Sequence, residues 1–308
     1  MSLTTMRGHH SEDEAAPRPA GDDHQRPARR RHRPSLRLSR VNVPAGVGSF
    51  LWLLVVGVPL YFVVITSLRG RGDYLSEGPL SLPDTLTLEN YVMAFQVGFG
   101  RFITNSVIVT VATVLLVLIM ALPAAYAIVR SASRAVRAGF SLCLLGLAVP
   151  AQAVIIPLYL IITRLHLYDT LIAIVLPTAA FALPISIVVL TSSLRDVPRE
   201  LYEAMAMDGA NTVKVFLRLV LPMARPGMVT VAIFAGLQAW NGFLFPLVLT
   251  QSSETRVLSL GLWEFQSQYG SNVPGIMAAV VISALPIFAL YLFGRRQLLS
   301  GLSAGFSK

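Results

Sequence analysis

Gln152, Gln238, Trp240 and Asn241 place hydrogen-bonding side chains within largely apolar stretches. Amides offer donors and acceptors without a charge, and an indole adds a flat apolar face with one N–H. Such a set suits a neutral polyhydroxy ligand, whose hydroxyls pair with amides and whose C–H faces stack on aromatic rings. Gln238 and Asn241 are three apart and share a helix face. Amides in lipid have a second use, as hydrogen-bonded glue between neighbouring helices worth about 0.6 to 2 kcal/mol. The sequence leaves both uses open.

A second informative stretch, 196–222, lies between apolar runs. It reads as two short helices. The first, over 197–208, opens near Asp196 with Pro198 in its first turn and stops at Gly209, a residue type that ends helices. The second begins with Asn211 as N-cap, carries an apolar stripe at Val213, Phe216, Leu217 and Val220, sets Lys214 and Arg218 on its other face, and ends at Pro222. The first helix mixes small residues, Ala204 and Ala206, with Met205, Met207, Leu201 and Tyr202. Small side chains allow close approach and methionine adapts to a partner surface. Glu203 and Asp208 are placed to meet cations on that partner. A hairpin lying flat on the membrane is the competing reading.

Other chemistries lack their residues. No G-x-x-x-x-G-K-[ST] phosphate loop occurs, so the chain is not expected to bind or hydrolyse ATP itself. Of five histidines, His9, His10, His24 and His32 lie near the N-terminus and His166 in a later loop, with no metal-ligand spacing. The single cysteine, Cys143, supports neither a disulfide nor a thiolate metal site. The expectation is a chain with no catalytic residue, no metal and no cofactor.

The elements that must position these residues are written in the composition. Of 308 residues, 54% are hydrophobic and 13% charged, against about 25% charged in average soluble chains. Six apolar runs, roughly 48–67, 103–129, 138–162, 170–194, 227–250 and 274–294, carry no Asp, Glu, Lys, Arg or His in their interiors. Each is long enough, at about 1.5 Å per residue, to cross some 30 Å of hydrocarbon. The expected fold class is therefore an all-α integral membrane protein with six transmembrane helices. Prolines 150 and 157, and 177 and 184, should make the third and fourth spans irregular. Residues 1–44, rich in Pro, Arg and His, read as a disordered basic tail without the apolar run of a cleaved leader. Residues 45–308 read as the membrane domain.

Charge sets the expected orientation. With the N-terminus inside, twenty Lys and Arg fall in inside segments and five outside, so both termini are expected in the cytoplasm. That asymmetry also accounts for the pI near 10.2 through anionic lipid rather than nucleic acid. Loops 68–102 and 251–273 then face outward, and 195–226 faces the cytoplasm. A proton-coupled carrier usually keeps ionisable groups within its helices, and these runs have none.

The stretch Glu203-Ala204, Gly209 and, nine residues on, Leu219-x-Leu221-Pro222 resembles the EAA loop of binding-protein-dependent ABC importers, and Asp208-Gly209-Ala210 is similar to the sugar branch of those permeases. Met205 and Leu219 stand where that family has alanine and isoleucine. Thr87-Leu88-Glu89-Asn90-Tyr91, Asn105-Ser106, Pro157-Leu158-Tyr159, Ala239-Trp240-Asn241, Phe245-Pro246-Leu247-Val248-Leu249 and the end Gly301-Leu302-Ser303-Ala304-Gly305 also resemble MalG-type carbohydrate permeases, over about residues 50–308. The resemblance implies a type I ABC importer permease fold with its core near 101–294. It implies a plasma-membrane subunit that passes a sugar, paired with a second permease, two cytoplasmic ATPase subunits that hold ATP and magnesium, and an extracytoplasmic solute-binding protein. In that family the loop couples to the ATPase, which assigns Glu203, Ala204, Asp208, Gly209, Ala210, Leu221 and Pro222 to coupling. The alternative is a six-helix secondary transporter or channel for a small polar solute.

Overall fold

Helices make up most of the described chain, and prolines decide where they bend. The computed structural model describes residues 43–77, 81, 83, 85–268 and 272–306. In order they form α1 (Val43–Ser67), α2 (Arg71–Glu77), α3 (Glu89–Gln96), α4 (Phe99–Arg130), α5 (Arg134–Leu145), α6 (Ile155–Arg164), α7 (Leu171–Arg195), α8 (Arg199–Met207), α9 (Thr212–Val215), α10 (Leu221–Met223), α11 (Arg225–Asn241), α12 (Leu244–Leu249), α13 (Leu258–Gln268) and α14 (Val273–Phe306). No strand occurs among the described residues. The tail read over 1–44 lies outside them up to residue 42; Val43 and Pro44 already belong to α1. The chain divides into two units at Phe50, and everything that follows concerns the second, residues 51–308.

Small residues build the centre. α4, α7 and α11 pack on one another, and Ala121, Ala125, Ala179, Ala182 and Ala235 are buried where they meet. Lipid gives no hydrophobic drive for helix association, so close backbone approach and packing have to supply it. Gly227 marks a close approach of α11 to α7: a Cβ there would stand 2.8 Å from the Ser193 Cβ. α1 shows the opposite composition, with Leu51, Trp52, Leu53 and Val55 more than half exposed.

Among the described residues, three helices, within α1, α4 and α7, are long and apolar enough to cross a membrane, and two bent pairs qualify if each pair is one span. The run expected at 138–162 breaks. α5 passes through a short 3-10 turn, the chain extends at Val149 and Pro150, and α6 leaves at 97°. Pro150 has no N–H for a helix and pushes Val149 out of the helical region, to ψ 113°. The fourth run was expected to be irregular too, yet α7 continues through Pro177 and Pro184. The run at 227–250 divides at Gly242, which is extended, into α11 and α12.

The second helix of the 196–222 hairpin was expected to end at Pro222. Instead it runs from Thr212 to Met223 and bends by 71° into α11. Pro222 and Pro226, four apart, remove two amide donors from the same side, which is how prolines bend helices. One π-helical turn, Phe216–Val220, precedes Pro222. The expected apolar stripe holds in part: Phe216 packs against the core and Val220 is buried. Val213 and Leu217 are exposed, whereas Val215 and Val220 are buried, five residues apart, as a π turn places them.

Candidate functional site

The α8 hairpin stands out as a polar helix attached to an apolar bundle. α7 continues to Arg195, so α8 starts at Arg199, later than expected, with Pro198 just before it. Its end is a complete Schellman stop. Gly209 sits at φ 70°, its N–H reaches the Ala206 carbonyl at 3.0 Å, and the Ala210 N–H reaches the Met205 carbonyl at 3.0 Å. Such a stop needs a residue that tolerates the left-handed region, which is why glycine stands there. The Asn211 side chain then accepts from the Lys214 N–H at 2.9 Å and starts α9, so one helix ends and the next begins within three residues.

Tyr202 is the buried side chain that seats α8, with Met205 half-buried against the same core. Tyr202 is 4% exposed, and its ring stacks on Tyr126 of α4 with centroids 6.5 Å apart. The Arg130 guanidinium, at the last turn of α4, lies 4.6 Å from the Tyr202 centroid. An interaction of that kind is worth about 0.5–1 kcal/mol when exposed. Burial pushes the Tyr202 hydroxyl above its usual range; nearby Tyr126 adds to the rise and Arg130 opposes it. Glu203, Ala204, Ala206, Met207, Asp208 and Gly209 all remain exposed, Met207 at 89%. Glu203 pairs with Arg199 at 3.0 Å, one turn back on the same helix and in the open. Ala210 and Leu221 are half-buried against the core, and Pro222 is exposed. The seat formed by Tyr126 and Arg130 was not read from the sequence; its only signal there is their i, i+4 spacing at the end of an apolar run.

The four in-span residues do not share a surface. Gln152 is exposed in the break between α5 and α6, and Gln238 and Asn241 are exposed on α11. The Asn241 amide donates to the Leu237 carbonyl of its own helix at 2.9 Å, leaving its oxygen to accept. Trp240 turns away from them and packs against the cluster of Ala94, Phe99, Phe102, Leu258, Ala279 and Ile282. It also borders a cavity of about 730 Å³ whose walls, from α4, α11 and α14, are almost wholly apolar.

Residues 118–301 match the family described as the inner membrane component of binding-protein-dependent transport systems. The chain belongs to that family. It is 35% identical to the diacetylchitobiose uptake system permease protein NgcG of Streptomyces coelicolor, over 83% of this chain and 85% of that one. It is 31% identical to the permease protein DasC of a diacetylchitobiose uptake system in the same organism, over 83% and 94%. In fold it is similar to a chain of a bacterial ABC transporter involved in import of the acidic polysaccharide alginate, with TM-score 0.72, 19% identity and coverage of 82% and 95%. The chain is thus an all-helical permease of the inner membrane, built on the ABC importer permease fold.

At the end of this permease opposite α8, polar side chains hold loops to helix ends. Asn105 of α4 donates to the Glu254 and Arg256 carbonyls at 2.7 and 2.9 Å. Ser106 beside it accepts from the Leu258 N–H at 2.8 Å. Asn90 donates to the Ser67 and Arg69 carbonyls, and Tyr91 shares a hydrogen bond with Ser67 at 2.7 Å. The buried Arg69 donates to the Ser81 carbonyl and hydroxyl. Asp169, at φ 59°, accepts from the Gln251 and Ser252 amides and the Thr255 hydroxyl at 2.9, 3.0 and 2.6 Å. Partial burial pushes this carboxyl up; the hydrogen bonds from Gln251, Thr255 and Ser252 outweigh it and hold Asp169 at about 2. In the sequence Asp169 is no more than a lone acid in a short loop.

Proposed function

We propose that this permease subunit passes a sugar inward across the membrane, in an importer driven by ATP that partner subunits hydrolyse. In this reading the permease crosses the membrane six times with both termini on the cytoplasmic side, beside α8. It pairs with a second, different permease. α8 seats one of two ATPase subunits, which hold ATP and magnesium, and an extracytoplasmic solute-binding protein delivers a mono-, di- or oligosaccharide to the loops at 68–102 and 251–273. This chain supplies no catalytic group and holds no cofactor of its own.

The observation that carries the coupling assignment is the seating of α8. A helix outside the apolar spans is fixed to α4 through one buried ring, while Glu203, Ala204, Asp208 and Gly209 stay open to a partner. Ala210, Leu221 and Pro222 set the second arm behind it. The sugar assignment is supported by the diacetylchitobiose uptake systems to which NgcG and DasC belong, and by uncharged amides in the apolar runs. On this view Gln152, Gln238 and Asn241 touch the sugar in passage, the last through its free oxygen, and Trp240 shapes the wall behind them.

The test is reconstitution in liposomes, with and without a partner permease, the ATPase and the solute-binding protein. Sugar accumulation that requires all components and ATP is expected. Sugar movement down its gradient through the permease alone would overturn the reading in favour of a secondary carrier. Asn241→Ala is expected to lower uptake several-fold while assembly and basal ATP hydrolysis stay near normal, because among the described residues its side chain bonds within its own helix. Failure to assemble would make Asn241 a packing residue instead.

A further inference from the structure

The inference concerns what lies behind α8, and it rests on the reading of α8 as the ATPase seat. The face of α8 turned toward the bundle meets the last turn of α4. Tyr126 and Arg130 are four apart on α4 and so point from one side of that helix. Tyr126 reaches both arms of the hairpin: its ring stacks on Tyr202 of α8 at 6.5 Å and 19°, and meets Phe216 of the second arm at 5.8 Å and 60°. Arg130 adds a guanidinium 4.6 Å from the Tyr202 centroid. The Tyr202 hydroxyl is buried and has no hydrogen-bond partner in this arrangement, so the ring, not the O–H, makes the joint. α4 then packs along α7 and α11, which ties the joint to the centre of the bundle.

We propose that Tyr126 and Arg130 are positioning residues that lock α8 and α4 into one moving body, with Tyr126 as the node joining both arms of the hairpin, so that displacement of α8 by the ATPase is carried directly into the helices that line the path. Aromatic stacking suits this role. Its energy falls off sharply with separation and tilt, so a small displacement of α8 loses contact energy unless α4 follows. Without this joint the hairpin would keep its covalent connections and aliphatic packing, Met205 of α8 and Val197, Ala210, Val215, Leu219, Val220 and Leu221 around it, which slides more readily than stacked rings, and a push on α8 would be absorbed in part as a change in hairpin angle.

The test measures rigidity within the assembled importer, with its partner permease, ATPases and binding protein. Spin labels are placed at Met207→Cys on α8 and Ile119→Cys on α4, both exposed, in a Cys143→Ser background, and their separation is read by pulsed electron resonance with and without Mg–ATP trapped by vanadate. In the otherwise native chain the distance distribution is expected to stay narrow and unshifted by nucleotide. In Tyr126→Ala it is expected to broaden roughly two-fold and to shift on trapping, as a hinge would. Arg130→Gln, at an exposed position where misfolding is not at issue, should broaden it less. Tyr126→Phe and Tyr202→Phe, which keep the rings, should retain the native distribution.

A native-width, unshifted distribution in both Tyr126→Ala and Arg130→Gln overturns the joint, and so does a distance in the native chain that shifts with nucleotide. If Tyr126→Ala fails to assemble, Arg130→Gln alone decides. Failure of the underlying reading looks different: the ATPase would then remain bound to Glu203→Lys and Gly209→Val variants, whatever the labels report.

Discussion

The two ends of this permease handle their polar groups in opposite ways. At the α8 end the charged and polar residues face outward, and what turns inward is aromatic or aliphatic: Tyr202, Tyr126 and Phe216, with Val215 and Val220. The ion pair resolved there, Arg199–Glu203, lies in the open. At the other end the polar residues turn inward. Asn90, Asn105 and Ser106 are nearly buried, and each ties its own helix to the backbone of a loop. A buried amide that loses its partners leaves a full desolvation penalty, whereas an exposed pair is worth little. The loops opposite α8 are therefore fixed in shape by particular side chains. α8 is held by packing on one side and keeps its remaining surface for a partner.

The sharpest way to break this comparison is to attack the stop of α8. Gly209→Val places a β-branched residue at φ 70°, a region that costs an L-residue roughly 1–2 kcal/mol, and it undoes the two hydrogen bonds that end the helix. Uptake is expected to fall to background while the chain still inserts and the binding protein still binds its sugar. Glu203→Lys should also abolish uptake, by reversing the charge offered to the partner. Co-purification of the ATPase alongside transport is the measurement. Normal association and uptake in both variants would return α8 to the role of a membrane-surface hairpin.

At the other end, Asn105→Leu should lower stability by about 1–3 kcal/mol, because the Glu254 and Arg256 carbonyls lose a buried donor. Thermal unfolding in detergent reads this, and ATPase co-purification should be unchanged. An effect on ATPase binding equal to that of Gly209→Val would mean that the two ends are not separable.

A smaller effect is expected from pH. The folded value of Asp169, about 2, lies below its ordinary 3.8, so its contribution is fully present above pH 4 and is lost as pH falls toward 2. Proteolysis of the 250–256 loop should rise over that window in the native chain. Asp169→Asn should flatten the dependence; an unchanged profile would remove Asp169 as the clasp. The smallest effect belongs to Arg199→Gln. Its pair is exposed at both partners, and such i, i+4 pairs contribute about 0.3–0.5 kcal/mol. Its unfolding midpoint should barely move, and a large drop would show that the α8 end also depends on its polar contacts.

Features that depend on immediate neighbours were legible in the sequence. Asn211 caps and Gly209 stops because a short side chain reaches an amide three residues on, and because a residue without Cβ accepts a positive φ. Run length marked the apolar helices for the same kind of reason. Bends were legible only in part. Pro150 breaks its run while Pro177 and Pro184 do not. The helical spacing that placed Val213, Phe216, Leu217 and Val220 inside held for Phe216 and Val220 alone, in a stretch where a π turn precedes Pro222. A proline announces a missing donor, but the surrounding helices decide whether the chain bends there.

Run length and charge alone make this a helical membrane protein, since an apolar run long enough to cross a bilayer and free of charge satisfies its backbone in lipid as a helix. The sequence also determined that α8 stays polar and ends at Gly209. Only the tertiary structure decided what each polar or aromatic side chain touches. Asn105 meets a carbonyl 149 residues away, Tyr202 settles on Tyr126 and Arg130, and Trp240 leaves the amides beside it in sequence to pack with Phe99 and Phe102. Backbone conformation is set by neighbours along the chain. Partners are set by which helices come together, and in lipid that depends on close packing of small residues across distant segments, which no single stretch of sequence contains.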